Sequence, residues 1–287
     1  MKKIQTGFLV SYDYEKLKKS IPPVYHDSDE IFLAIDSENR TWSGNQFTID
    51  ASFFSWLKEI DVDNKITLYR DDFFDAALSP IENDTRERNM LGHQMGIGNW
   101  IIQIDSDEIF IDFNGFVRKL RKYDHYLDNP ESKKVQFAAF HINAYKYLDK
   151  GLLFVEEPTK FYLATNYPEY RHAKNTRMRV IYIDSYVLHE GLARTEEELR
   201  FKLQNWGHKE EINNSFLDKW LRADETNYRE IKDVFYLDPK TWRSLGYFPS
   251  QDLADIRNFI AENPDLKKSG FWIWKKNFGQ WFKHLMK

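Results

Sequence analysis

The chain has 287 residues, of which 42% are hydrophobic and 30% charged, enough for one large α/β domain or two small ones and incompatible with a disordered or collagen-like chain. Forty-one Lys and Arg against 45 Asp and Glu give a formal net charge of −4, which argues against nucleic acid as a partner. No cysteine is present, which excludes disulfides, zinc–thiolate sites and cysteine nucleophiles and fits a reducing cytoplasm.

In chain order, residues 6–11 (TGFLVS) read as a strand, and the charged segment 14–20 reads as helical until Pro22-Pro23. Residues 29–35 (DEIFLAI) form a second strand that ends at Asp36 and a polar loop. Phe53, Phe54, Trp56, Leu57 and Ile60 have helical spacing in 50–60, and 65–69 (KITLY) is a third strand. Residues 82–95 are helix-like, and 100–104 (WIIQI) make a fourth strand. Strand–helix alternation of this kind predicts βαβ units and a mostly parallel central sheet flanked by helices. Beyond residue 110 the pattern shifts to aromatic-rich strands at 137–147, 152–155, 161–164 and 178–188. Thr195 and Glu198 form a capping box before Leu199 and Leu203, and a further helix is expected over about residues 211–234. Asp238-Pro239 marks a boundary, so residues 1–240 are expected to form the main domain and 241–287 a helical C-terminal extension. The N-terminus does not read as a signal peptide, and no apolar run is long enough to span a membrane.

Three Asp-x-Asp triplets occur, Asp27/Asp29, Asp61/Asp63 and Asp105/Asp107, and the last alone directly follows an apolar strand. In an open α/β sheet the ligand crevice lies at the carboxyl ends of the strands, so Asp105 and Asp107 are aimed into it. Two carboxylates one residue apart can share a hard divalent cation, which can in turn hold a diphosphate. The plainer alternative is a solvated acidic turn. Gly96-Ile97-Gly98 precedes a strand and so is not a dinucleotide fingerprint, and the chain has no P-loop. The basic run Arg171–Arg177 (RHAKNTR) could neutralise a leaving diphosphate, with Lys174 and Arg177 foremost, or it is a solvated basic loop.

The strand order, the helix carrying Arg88-Asn89 and the segment WIIQIDSDEIF resemble family-two glycosyltransferases with the GT-A fold, over roughly residues 5–210. The resemblance implies that Asp105 and Asp107 hold Mg²⁺ or Mn²⁺ on the diphosphate of a nucleotide sugar, a UDP-sugar foremost. It places Asp36 and Arg88 at the nucleoside end, although Asp36-Ser37-Glu38 stands where the family usually has Asp-Gly-Ser. The segment 186–208 (YVLHEGLARTEEELRFKLQNWGH) resembles a subset of the family and implies His189 as a third metal ligand, a donor that suits Mn²⁺. Glu190 is the candidate base for the acceptor hydroxyl. The family's usual Glu-Asp pair is absent, and Glu196-Glu197-Glu198 stands instead. The function implied is metal-dependent transfer of a sugar to a hydroxyl of a sugar or lipid-linked acceptor, in surface polysaccharide or glycolipid synthesis. Two rivals are an inactive GT-A-like binding module and a phosphatase of the haloacid dehalogenase type, whose Asp-x-Asp normally follows the first strand rather than the fourth.

Residues 267–287 hold six Lys and no acid. Phe271, Trp274, Phe278, Phe282 and Leu285 share one helical face, with Trp272 and Trp281 at its edges and Lys275, Lys276, Lys283 and Lys287 elsewhere. Such a helix either packs its aromatic face on the domain, the favoured expectation, or lies in the interface of an anionic membrane. The expected location is the cytoplasm, with the inner face of the membrane as the alternative for the tail.

Overall fold

The computed structural model describes residues 2–205, 213 and 215–285, with the side chains at 281 and 283–285 outside the description. Strand β1 (Ile4–Val10) pairs in parallel with β2 (Glu30–Asp36) on one side and β4 (Trp100–Asp105) on the other, and β2 pairs in parallel with β3 (Ile66–Asp71). Between them lie the short helices α1 (Leu17–Ser20) and α2 (Pro22–Tyr25), then α3 (Ala51–Ile60) and α4 (Pro80–Met95).

Alternation along these strands builds two layers. Ile4, Phe8 and Val10 with Ile31, Leu33 and Ile35 and with Trp100, Ile102 and Ile104 enter one core, which α3 covers through Phe53 and Leu57. Leu9, Phe32, Ala34 and Ile101 face the opposite way, against Leu91 and Met95 of α4. Helix α4 starts at a capping box of Ser79 and Glu82 with Pro80 in its first turn, and stops at Gly96, whose φ of +88° excludes most side chains. It lies close over β1 at Gly7, where a Cβ would come within 2.9 Å of Leu91 and Met95.

After β4 the chain makes β5 (Glu108–Phe110), α5 (Phe113–Arg121), and the strands β6 (Val135–Leu148), β7 (Gly151–Val155), β8 (Thr159–Thr165) and β9 (Arg179–His189). Helices α6 (Glu196–Asn205) and α7 (Phe216–Arg222), strand β10 (Leu245–Phe248), and helices α8 (Leu253–Glu262) and α9 (Gly270–Leu285) complete it. The sheet has ten strands, eight of them in the order β10-β7-β6-β8-β4-β1-β2-β3; β9 joins β6, and β5 joins β9. The expected α/β class, with a large central sheet, flanking helices and a helical C-terminal end, is what the chain forms. Parallel pairing is concentrated in β3-β2-β1-β4 and in β6–β9, and the remaining pairs are antiparallel.

Two local departures have plain causes. The helix expected over 211–234 is helical at Phe216–Arg222, while residues 206–212 and 214, with His208, lie outside the described residues. It ends there because the Asp224 carboxylate accepts the backbone N–H groups of Thr226 and Asn227, while Asn227 Nδ2 donates to the Arg222 carbonyl; side-chain turns of this kind compete with helix. Beyond residue 240, β10 pairs antiparallel with β7, so this stretch contributes an edge strand as well as helices.

Candidate active site

The parallel strands end on a cleft of about 450 Å³ lined by residues at the ends of β1 (Ser11–Asp13), β2 (Asp36 and Arg40–Trp42) and β4 (Asp105–Glu108), with α4, the loop 172–175, His141, Phe161, His189, Lys202 and Asn205. It therefore stands where ligands enter open α/β sheets.

Register brings its centre together. Asp105 closes β4 and a two-residue turn leads into β5, which pairs antiparallel with β9 so that Glu108 faces His189. On the other side of β9, the parallel register of β6 sets Asn143 against His189. The Asp107 carbonyl accepts the Glu190 N–H at 2.8 Å and locks the turn to the end of β9.

Each carboxylate of the triplet has cationic partners. Asp105 accepts from Arg88 Nη2 at 2.9 Å and lies 3.2 Å from Lys174 Nζ. Asp107 Oδ2 accepts from Arg194 at 2.6 Å and Lys202 at 2.8 Å. Burial pushes the Asp107 pKa up, and Lys202 with Arg194 outweighs that and holds it well below the usual carboxylate value. Glu108 accepts from Lys174 at 2.6 Å, from the Asp105 N–H at 3.0 Å, and lies 3.0 Å from His141 Nε2. Asp13 links the first strand to this group, accepting from Ser106 at 2.7 Å and Arg194 at 2.8 Å.

Arg88 is 2% exposed; its Nε donates to Asp84 at 2.6 Å, while its Nη1 is buried with no hydrogen-bond partner. An unpaired buried guanidinium N–H costs free energy until an acceptor arrives.

His189 is held differently. Its ring stacks on His141 at 4.5 Å between centroids, and His141 in turn stacks on Phe161 at 3.6 Å. Burial above all, with His141 beside it, pushes the His189 pKa down to about 3, against the pull of Asp107 and Glu108, so the ring is neutral at pH 7. Asn143 spends its amide N–H on Thr159 at 2.9 Å, so its Oδ1, 3.0 Å from His189 Nδ1, accepts the ring proton. That leaves Nε2 as a bare acceptor 3.6 Å from Asp107 Oδ1. A Cβ at position 191 would lie 2.7 Å from this nitrogen, and the residue there is Gly191.

Two acceptors facing each other without a proton could both donate to a cation. Ligands of one small ion at about 2.1 Å each stand about 3–3.6 Å apart, so Asp107 Oδ1 and His189 Nε2 fit a divalent metal. Asp105 does not join them: among the described residues no three His, Asp or Glu side chains come together as a metal-binding group. Arg88 and Lys174 stand on the Asp105 carboxylate, as Arg194 and Lys202 stand on Asp107 Oδ2.

Asp36, Arg88, Asp105, Asp107, Lys174 and His189 all line the cleft, whereas Arg177 and Glu190 are outside its lining. Asp36 faces its own loops. It accepts the backbone N–H groups of Glu38, Arg40, Phe73 and Phe74 and the Nε and Nη2 groups of the Arg40 guanidinium, at 2.9 and 3.1 Å. Burial pushes its pKa up, and Arg40 with these N–H groups brings it below the ordinary value. Glu190 accepts from Lys16 at 2.8 Å, from Lys19 at 3.1 Å and from the Tyr147 hydroxyl. Arg177 is exposed, in the left-handed region with φ 57°.

Sequence reasoning missed Asp13, Glu108, His141, Arg194 and Lys202. His141 and Asn143 carried a signal, as alternate polar residues on an otherwise buried strand. Lys202 did too, lying between Leu199 and Leu203 on a capped helix. Asp13 and Arg194 carried none, since only the closed fold sets them together.

No protein-family model matches this chain, and no curated protein matches it in sequence. Among solved structures, that of S. aureus TarS 1–349 aligns with 52% of this chain and 37% of its own length, at 8% identity and a TM-score of 0.30. A likeness at that level is a coarse link between folds and carries no argument about activity.

Proposed function

We propose that the cleft is the donor site of a metal-dependent glycosyltransferase, which moves a sugar from a nucleoside-diphosphate sugar, a UDP-sugar foremost, to a hydroxyl acceptor. The observation that carries this reading is the bare Nε2 of neutral His189 opposite Asp107 Oδ1, in a cleft that Arg88, with one buried and unpartnered N–H group, also lines. One pair asks for a cation, the other for an anion, and a metal-bound diphosphate supplies both.

Asp107 and His189 would hold Mn²⁺ or Mg²⁺, which when bound supplies Lewis-acid stabilisation of a leaving diphosphate. Arg88 and Lys174, placed beside Asp105, set positive charge where a diphosphate oxygen would develop negative charge. Asn143 keeps His189 in the tautomer with Nε2 free, and Gly191 keeps that nitrogen uncovered. Asp36 acts through Arg40 and the loop after β2, shaping the nucleoside end rather than offering a free carboxylate. Glu190, with three donors on its carboxylate and outside the cleft lining, is not the base in this reading.

The ion pairs on Asp105 favour a second reading, a binding module without turnover, since its carboxylate is neutralised by the chain itself. Calorimetric titration of UDP, with Mn²⁺ and then with EDTA, tests the first. Binding that needs the metal and is lost in Asp107→Ala is the expected result; no metal-dependent binding of UDP, GDP or another nucleoside diphosphate would overturn it. Hydrolysis of a bound nucleotide sugar separates the enzyme from the module.

A further inference from the structure

Among its described residues, helix α9 meets the domain through the side that carries Trp272, Ile273 and Asn277. Trp272 packs edge-on to Phe140 and Tyr182, with centroids 5.7 and 5.6 Å away, and Ile273 joins the same core. Asn277 accepts the Tyr182 N–H at 2.7 Å and donates to the Tyr182 carbonyl at 3.0 Å, bonding α9 to the backbone of β9. The Lys268 N–H donates to the Tyr186 hydroxyl at 2.7 Å near the start of the helix. These contacts fix the rotation of α9 about its axis.

The opposite side carries a continuous ladder of rings. Phe271 and Trp274 lie 5.9 Å apart, Trp274 and Phe278 5.3 Å, and Phe278 and Phe282 4.8 Å. They are 71%, 58%, 49% and 44% exposed. Among the described residues, the one other strongly exposed aromatic is Phe201, on α6. An apolar face of this extent, fixed outward by the fold, marks an interaction surface.

Charge identifies the occupant. The segment 267–287 holds six Lys and no acid. Lys275 and Lys276 are exposed, and Lys268 and Lys276 sit 5.8 and 5.2 Å from the Trp272 ring, at the side of the helix away from the ladder. Pairing two copies through α9 would bring these lysines together with no acid in the segment to answer them. An anionic bilayer answers both features, with headgroups for the lysines and the upper acyl region for the rings.

We propose that α9 is a membrane-surface helix, lying in the plane of an anionic bilayer with Phe271, Trp274, Phe278 and Phe282 inserted. The inference stands on the helix alone and does not depend on the chemistry of the cleft. Among the described residues no helix is long and apolar enough to cross a membrane, so the contact is peripheral.

Sedimentation of the full chain with vesicles tests it. The chain should bind vesicles of equal phosphatidylcholine and phosphatidylglycerol at least tenfold more tightly than pure phosphatidylcholine. Replacing the four rings by Ser should remove binding at least tenfold while leaving the thermal midpoint and the nucleotide titration unchanged, and Lys275→Glu with Lys276→Glu should weaken binding to the anionic vesicles alone. Failure of the unaltered chain to sediment with the anionic vesicles would overturn the proposal, as would undiminished binding by the four-Ser variant. A dimer in solution that the four-Ser variant converts to monomer, without vesicle binding, would assign the face to a second copy and overturn it equally.

Discussion

The cleft and helix α9 depart from ordinary burial in opposite directions. In the cleft, charged side chains are withdrawn from water: Asp84, Arg88, Asp107, Glu108 and Arg194 are all buried. Each of the five is answered by an opposite charge within 2.9 Å. On α9, large apolar rings stand exposed to water and stack on one another. The first arrangement is largely answered within the chain and should be expensive to break, because removing one member takes a counter-charge from buried partners. The second is open, so changing it should cost the fold little and show itself only against a partner.

Asp107→Ala should therefore have the largest effect, leaving Arg194 and Lys202 without their shared carboxylate and costing about 3–5 kcal/mol of stability in denaturant unfolding. A loss below about 1 kcal/mol would mean that water reaches these cations and the cluster is not closed. Next comes Trp272→Ala, on the inner side of α9. It should cost about 1–2 kcal/mol, less than a fully buried Trp, because the side chain is partly exposed.

Glu87 probes the cleft through pH. Burial above all, aided by Asp84, pushes its pKa up to about 8 against the Trp42 N–H and Arg88. The folded state thus keeps a proton there between pH 4.5 and 8 that the unfolded chain has lost, and Glu87 makes stability fall as pH rises through that window. Glu87→Gln should flatten this slope and raise stability at pH 8 by about 1 kcal/mol, a gain of about 2–4 °C in Tm. An unchanged pH slope would show that Glu87 titrates normally. The smallest effect belongs to the outer rings of α9: Phe271→Ser or Phe278→Ser alone should move stability by less than about 0.5 kcal/mol. A larger loss would mean that these rings pack on the domain, and the contrast between the two regions would fail.

Much of the fold was legible because its signals are local. The apolar runs of β1, β2, β3 and β4 and the capping box at Thr195 are read from neighbours a few residues apart. The triplet Asp105-Ser106-Asp107 stood out for the same reason, as acids directly after a strand. The site was less legible. Asp36 and Glu190 looked like free carboxylates in sequence, but Arg40 and a ring of backbone N–H groups occupy the first, and Lys16, Lys19 and Tyr147 the second. Lys16 is 174 residues from Glu190, a separation at which periodicity says nothing.

By itself, then, the sequence determined the α/β class, the order of strands and helices in the first half, the place of the Asp pair at the end of β4 and the amphipathic character of the tail. All of these follow from propensities and spacings within a few turns of chain. Only the tertiary structure decided that Asp105 is tied to Arg88 and Lys174, that His189 is neutral with Nε2 bare beside Asp107, and that the aromatic face of α9 turns outward. Each of those depends on strand register and on partners distant in the chain, and an amphipathic pattern states that a helix has two faces without stating which one the fold will use.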